Sequence, residues 1–171
     1  MLHRYRMYNS AMATTAAVAT VTTGTAIKSM LQGSTPATRL AMILGWGFSI
    51  EEPPGADSIF ELLQTDVAAT VTAHSASGVQ PLDAGMPASL LTLGVSNTGF
   101  TASAEGSITA TRMFDEVTMS SVSAEAAPFM KYEKRWDNWD GPVIPVSKFF
   151  RVRATTPTTA VDMRCWVEWC E

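Results

Sequence analysis

The sequence predicts an all-β protein, a jelly-roll-like two-sheet antiparallel β-sandwich with an extended N-terminal arm. Two segments, residues 39–50 and 161–169, alternate large apolar side chains with other types, which is typical of strands that bury one face. No segment shows a sustained apolar stripe with the 3.6-residue period of an amphipathic helix. The hydrophobic share of 46% is sufficient for a core in a chain of 171 residues, so wholesale disorder is not expected.

The clearest strand is RLAMILGWGFSI, residues 39–50. In a regular strand the alternate residues share one face, which here would be the core face: Leu40, Met42, Leu44, Trp46, Phe48 and Ile50. Gly45 and Gly47 then lie on the other face. A pair of glycines there predicts either a close approach by another group or a bend in the strand.

The last segment of the sequence, VDMRCWVEW, alternates in the same way. The expected core face carries Val161, Met163, Cys165, Val167 and Trp169, and the opposite face carries Asp162, Arg164, Trp166 and Glu168.

Further strands are predicted from β-branched and aromatic residues bounded by turn residues, at 26–32, 58–67, 106–119 and 148–154. Residues 67–104 are rich in Gly, Pro, Ser and Ala. Because long structureless loops are uncommon inside compact domains, we expect short strands near 69–73 and 89–93. About eight short strands with such connections suit a jelly-roll or a related sandwich.

The first 25 residues are predicted to form the extended arm, and residues 26–171 the sandwich domain. The stretch MATTAAVATVTTG, residues 12–24, has no charge, little apolar bulk and many β-branched residues, which disfavours a helix. We expect the arm to lie outside its own sandwich and to pack on neighbouring chains. The side chains expected to be buried there are Tyr5, Tyr8, Val18 and Val21.

Composition argues against two classes of partner. The formal net charge of −4 does not match the basic footprint of a nucleic-acid-binding protein. No apolar run approaches the roughly 18 residues that a membrane-spanning helix needs. Of the two cysteines, Cys165 is expected to be a small buried hydrophobe and Cys170 a fraying terminal thiol, with no disulfide between them.

The sequence offers no catalytic, cofactor or metal site. His3 and His74 are the only histidines, and neither has the ligand spacing of a zinc site. We expect His74 to be a loop histidine. A nucleophile turn of the GxSxG kind is absent from the sequence. We therefore expect the chain not to be an enzyme.

One aromatic cluster has polar neighbours, in the segment KYEKRWDNWDGP, residues 131–142. Tyr132, Trp136 and Trp139 suit three interpretations: a platform for stacking sugars, a contact between subunits, or a strand edge whose aromatics cover the core. The residue types alone leave all three open.

The order of these segments resembles small virion proteins of tailed phages, of the β-sandwich capsid-decoration (cement) type. The resemblance covers residues 12–169. It rests on a Thr/Ala-rich lead, MATTAAVATVTTGTAIKSMLQ, followed by LGWGFSI, FELLQTDVAATVTAH, GVQPLD, GFTASAEGSITATRMF, PVIPVSKFFRVR and CWVEW.

The resemblance implies a non-enzymatic protein of the virion, on the capsid surface, forming homotrimers at local three-fold positions. The implied partners are other copies of the chain and the major capsid protein. The alternative is a carbohydrate- or receptor-binding module of a phage head fibre or tail, with the cluster at Tyr132, Trp136 and Trp139 as its platform.

Overall fold

The computed structural model describes residues 2–12, 15–121, 130–137 and 139–171. Strands dominate the described residues, with one short 3₁₀ turn at Ala76–Gly78. The strands are β1 (Arg4–Tyr8), β2 (Val21–Thr22), β3 (Lys28–Ser34), β4 (Ala41–Ile50), β5 (Ser58–Thr65), β6 (Thr70–Ala73), β7 (Val79–Pro81), β8 (Gly99–Ala104), β9 (Thr111–Met119), β10 (Met130–Arg135), β11 (Val143–Ile144), β12 (Phe149–Thr155) and β13 (Asp162–Cys170).

The strands form two antiparallel sheets that pack face to face, so the predicted β-sandwich is confirmed. Sheet A has the order β10-β4-β13-β1-β7, with β11 added beside β4 and β2 beside β13. Sheet B has the order β6-β8-β3-β12-β5-β9. The consecutive strands β3, β4 and β5 alternate between the sheets, and so do β12 and β13, so these connections cross from one layer to the other.

The core lies between the inner faces of the two sheets. In β13 the predicted alternation is confirmed, because Met163, Cys165, Val167 and Trp169 are all fully buried. Sheet B contributes Phe60, Leu62, Phe150 and Val152 to the same cluster. The rings of Phe48 and Phe60 stack across the sandwich with centroids 4.3 Å apart.

The predicted core face of β4 is wrong in its first half. Trp46, Phe48 and Ile50 are buried as expected, but Leu40 is 47% exposed, and Ala41 and Ile43 are buried instead. The cause is a β-bulge: Glu168 of β13 lies opposite Gly45, but Trp169 lies opposite Ile43. The extra residue, Leu44, shifts the alternation by one position, so that Leu40, Met42 and Leu44 face outward.

The predicted N-terminal arm is also wrong for its first part. Residues Arg4–Tyr8 form β1, which pairs with β13 on one side and β7 on the other. Tyr5 is 1% exposed, and its ring stacks on Trp169 with centroids 5.8 Å apart. Alternation in RYRMY puts Tyr5 and Met7 in the core, so this segment belongs to its own sandwich.

Later in the predicted arm, residues 15–20 lead into β2, where the chain joins sheet A. Residues 15–20 have no regular structure, and residues 15–17 are exposed. The carbonyl of Val18 accepts a hydrogen bond from Arg164. Val21 lies in β2, which pairs with β13 at Met163, and its side chain packs against the core. This stretch is therefore attached to the domain, contrary to the predicted boundary at residue 25.

Three further expectations have mixed outcomes. The short strand predicted near 69–73 is confirmed by β6, whereas the one predicted near 89–93 is wrong, because only an isolated bridge joins Leu93 to Thr98. Cys165 is a buried hydrophobe as predicted. Cys170 is not a fraying thiol, because it is 1% exposed at the end of β13. Both thiols are free, and burial raises the pKa of each.

Deleting residues 1–10 should abolish the cooperative unfolding transition. The deletion removes β1 and leaves β13 without one neighbour, and losing the burial of Tyr5 and Met7 alone should cost about 3–6 kcal/mol of the free energy of unfolding. The total stability of a domain is only about 5–15 kcal/mol. Thermal unfolding followed by circular dichroism measures this. Replacing the exposed Ala16, Ala17 and Ala19 by serine is the control and should leave the melting curve unchanged. If the deletion variant melted like the full chain, residues 1–10 would not contribute to the sandwich, and the predicted N-terminal arm would be supported.

Candidate functional site

The outer face of sheet A carries a group of charged and aromatic side chains, which we call the Trp166 cluster. They come from β1, β10 and β13: Arg6, Tyr8, Lys131, Glu133, Arg135, Arg164, Trp166 and Glu168. Strand register brings them together, since Tyr8 pairs with Trp166, Trp166 with Gly47, and Gly47 with Glu133.

Two glycines of β4 make room for this cluster. A Cβ atom on Gly47 would lie 3.0 Å from the indole atoms Cε2 and Cζ2 of Trp166, and 2.7 Å from the carbonyl oxygen of Tyr132. A Cβ on Gly45 would lie 3.2 Å from Cγ of Arg135. Of the two predicted alternatives, the close approach is confirmed: the indole of Trp166 approaches Gly47, and the side chain of Arg135 approaches Gly45.

Two arginines stack on the same indole and share one carboxylate. Cζ of Arg6 lies 4.9 Å, and Cζ of Arg135 5.1 Å, from the centroid of the Trp166 ring. Glu168 Oε2 accepts hydrogen bonds from Arg6 Nη2 at 2.9 Å and from Arg135 Nη1 at 3.1 Å. Guanidinium groups held by both an aromatic face and a carboxylate lose little further side-chain entropy when they bind a ligand.

Both arginines remain cationic. Burial lowers the pKa of Arg6, but its hydrogen bonds to Glu168 and Tyr8 outweigh this and raise the pKa above its ordinary value. Hydrogen bonds to Glu133 and Glu168 raise the pKa of Arg135. Because the Glu168 side chain is only 4% exposed, removing either arginine would weaken the pairing of a buried carboxylate.

The cluster is net positive on an acidic chain. It contains four cations and two carboxylates, whereas the whole chain has a formal net charge of −4. All of these charged side chains except that of Glu168 line an open concavity of about 310 Å³. A second concavity of about 240 Å³ adjoins it and shares Arg135; Leu44, Trp136 and Trp139 line its far side.

The predicted aromatic platform does not exist as a unit. Tyr132 faces the interior, where its ring centroid lies 5.5 Å from that of Trp46. Trp136 is partly buried against the core, with Lys134 Nζ 5.4 Å from the centroid of its ring. Only Trp139 is exposed, by 51%, at a backbone φ of +63°. The strand-edge interpretation is the one that describes Tyr132 and Trp136.

On the side of β10 that faces sheet B, hydrogen bonds to one carboxylate form a polar bridge between the two sheets. Asp115 of β9 accepts hydrogen bonds from Trp46 Nε1 at 2.9 Å, Tyr132 hydroxyl at 2.7 Å and Lys134 Nζ at 2.9 Å. Burial raises the pKa of Asp115, but these three donors outweigh it and lower the pKa overall. Burial and the bond to Asp115 raise the pKa of Tyr132 to about 12. The bridge fixes β9 of sheet B to β4 and β10 of sheet A.

The predicted interface residues at the N-terminus are divided between the two faces of sheet A. Tyr5 lies in the core, and Tyr8 belongs to the Trp166 cluster. Val18 contributes its carbonyl, and Val21 packs partly against the core. Trp166 and its arginines were not among the predicted site residues; the glycines opposite them in β4 were the signal that could have identified them.

His74 lies in the loop after β6, as predicted, but it is buried there. It is 4% exposed, its ring lies 4.8 Å from that of Phe100, and its Nε2 lies 2.8 Å from the carbonyl oxygen of Tyr8. A carbonyl only accepts hydrogen bonds, so Nε2 carries the proton. Burial lowers the pKa of His74, because it disfavours the charged ring.

Replacing Asp115 with asparagine should lower the free energy of unfolding by about 1–3 kcal/mol, because a part-buried Lys134 ammonium loses its carboxylate. Urea denaturation at pH 7 measures the change. The matched control is Asp83→Asn, which breaks the exposed ion pair with Arg4 and should cost about 0–1 kcal/mol. Equal losses in the two variants would show that the bridge contributes nothing beyond a surface pair.

Acidification should destabilise the protein through His74. The folded-state pKa lies below the unfolded value of 6.5, so the stability is fully present above pH 6.5 and is lost as pH falls through the folded pKa. The free energy of unfolding should therefore decline as the pH falls below 6.5. His74→Gln keeps a donor for the Tyr8 carbonyl and should show a shallower decline in urea titrations. Between pH 8 and 9 the difference between the two proteins should stay constant. If the free energy of unfolding depended on pH in the same way in both proteins, His74 would not cause the loss of stability in acid.

Among the described residues, no group of histidine, cysteine, aspartate or glutamate side chains is placed to hold a metal ion. Within the same ranges no helix has the length and apolar character needed to cross a membrane. Comparisons with protein-family models, with curated proteins and with solved structures give no match to this chain. Its function is therefore inferred from the geometry of its surfaces.

Proposed function

We propose that this chain is a non-enzymatic structural protein of a phage particle, which decorates the capsid and cements the shell through contacts between subunits. The proposal joins the resemblance in segment order to one structural observation. That observation is an aliphatic strip on the outer face of sheet A, formed by Leu40, Met42, Leu44 and Val143.

The strip exists because of the bulge in β4. It turns Leu40, Met42 and Leu44 outward, and β11 places Val143 directly opposite Met42. Leu40 is 47% exposed and Val143 37% exposed, and nearby Val146 is 43% exposed. An apolar strip on an ordered sheet face gains free energy when another protein surface covers it.

The surroundings of the strip favour a protein partner. The charged share of the chain is only 16%, so few charges need to be desolvated when a neighbour docks. Met42, Leu44 and Val143 lie within paired strands and Leu40 directly precedes β4, so covering the strip orders little additional backbone. The neighbours that we propose are other copies in a homotrimer and the major capsid protein.

Purified protein mixed with empty shells of the virus whose genome encodes it should bind in many copies and raise the temperature at which the shells break open. Calibrated mass spectrometry gives the number of copies per particle. A few copies at a vertex or tail would instead indicate an adhesion module. Enzymatic release of shell fragments, or no binding at all, would refute cementing.

The double variant Leu40→Ser, Val143→Thr should lower the binding to shells and reduce the trimer, three times the 18.4 kDa chain, to a monomer in analytical ultracentrifugation. Both positions are exposed, so the fold should remain. Leu93→Ser with Val95→Thr is the matched control, since these side chains are 39% and 60% exposed on a loop beside β6 of sheet B. If both double variants lost assembly equally, the strip would not be the surface that forms the contact.

One observation favours the second candidate, a carbohydrate- or receptor-binding module of a head fibre or tail. Trp139 is half exposed in the concavity that adjoins the Trp166 cluster. Copy number on the particle distinguishes the two candidates, because cementing needs many copies and adhesion needs few.

A further inference from the structure

We propose that the Trp166 cluster and the adjoining concavity form a binding groove for an anionic glycan, a sugar chain that carries carboxylate or phosphate groups. The proposal concerns the ligand chemistry of this face, and it does not depend on how the chain is attached to a particle.

The charges that line the groove indicate that the ligand is an anion. The groove has five cations, against the three carboxylates of Glu133, Asp137 and Glu168, on a chain that is acidic as a whole. The cations are Arg4, Arg6, Lys131, Arg135 and Arg164. Arg164 donates to the carbonyl of Val18 and forms no ion pair with a carboxylate in the described ranges. Guanidinium groups match the planar oxygens of carboxylates and phosphates, so an anionic group is the natural occupant.

The positions of these cations are fixed before a ligand arrives. Trp166 lies across Gly47, the guanidinium groups of Arg6 and Arg135 lie on its ring, and Glu168 holds both. Arg135 lines both concavities and is held from two sides, by Glu133 at Nε and by Glu168 at Nη1. A prepositioned arginine loses less entropy on binding than a free surface lysine.

The shape of the groove favours a chain of sugars over a single small anion. From Arg164 to Glu168 the groove follows β13 for roughly 13 Å, at about 3.3 Å per residue. The second concavity continues it past Trp136 to Trp139. The half-exposed ring of Trp139 offers a flat apolar surface to the C–H face of a sugar ring, while the cations contact the anionic substituents.

A peptide fits this face less well. A peptide that adds to a sheet needs the unpaired backbone groups of an edge strand. The centre of the cluster is instead the face of β13, whose backbone pairs with β4 and β1 on its two sides. Only side chains are presented to a ligand there.

The test measures binding of the full chain to four hexameric probes by isothermal titration calorimetry at low salt. The probes are oligogalacturonate, its neutral methyl ester, a phosphorylated mannan oligosaccharide and hexaglutamate. We expect oligogalacturonate or the phosphorylated mannan to bind, which identifies the anionic group. The methyl ester and hexaglutamate should bind at least about tenfold more weakly, because each lacks either the charge or the sugar.

Arg135→Gln and Arg164→Gln should each weaken binding of the preferred glycan about tenfold, the loss expected for one charged hydrogen bond. Arg112→Gln is the matched control, because Arg112 also stacks on an aromatic ring, at 5.1 Å from Phe114 on sheet B, but lies outside the groove. It should leave the affinity within about twofold of the unmodified chain. Circular dichroism verifies that each variant is folded, and Arg164→Gln, which does not touch Glu168, keeps the test valid if Arg135→Gln unfolds.

Three results would overturn the proposal. The first is that neither anionic glycan binds. The second is that hexaglutamate binds as tightly as the preferred glycan, which would make the cluster a site for acidic protein segments. The third is that Arg112→Gln weakens binding as much as the groove variants do. Binding of the same variants to empty shells is measured separately, and it tests the cementing proposal independently of glycan binding.

Discussion

The position of β13 between β4 and β1 is the constraint on which the rest of sheet A depends. Its inner side chains, Met163, Cys165 and Val167, fill the core, and its outer side chains form the centre of the Trp166 cluster. Because successive side chains in a strand alternate, a slip of one residue against β4 would exchange the two sets. It would move Arg164 and Glu168 from the outer face into the apolar core and expose the core residues, at a cost above the stability of a domain. The same packing that stabilises the sandwich therefore also determines which side chains the outer face presents.

The bulge at Leu44 divides that outer face into two parts with different chemistry. Before the bulge, Leu40 and Met42 face outward, at the start of β4, and after it β4 presents Gly45 and Gly47. The first part is an aliphatic strip suited to a protein neighbour. The second has no side chains of its own, so Trp166 can cross it and carry two arginines on its ring. One additional residue in a strand thus separates an apolar contact surface from a cationic groove on the same sheet.

Much of the sandwich could be predicted from the sequence, because period-two patterns in β13 and in the second half of β4 report burial directly. The bulge could not, since Leu40, Met42 and Leu44 continue the apolar pattern and only pairing with β13 reveals the shift. Strand β1 was missed although RYRMY alternates, because five residues beside a Thr/Ala-rich stretch give a weak local signal. For the cluster, Gly45 and Gly47 correctly indicated a close approach. They could not indicate which side chain approaches, because Arg6 and Glu168 are 162 positions apart in sequence and meet only through strand register.

This long separation couples the groove to the closure of the sandwich. The two ends of the chain pair through reciprocal backbone bonds, His3 N to Glu171 O at 3.2 Å and Glu171 N to His3 O at 3.1 Å. Arg6 and Tyr8 reach the groove only when β1 has docked on β13, so the groove is complete only in the closed sandwich. A ligand that binds the closed form and not the open one stabilises the closed form by an amount that grows with its concentration. Occupancy of the groove and retention of β1 are then linked equilibria. An anion held between Arg6, on the first strand, and Arg135, on the edge strand β10, would tie both to the centre of the sheet.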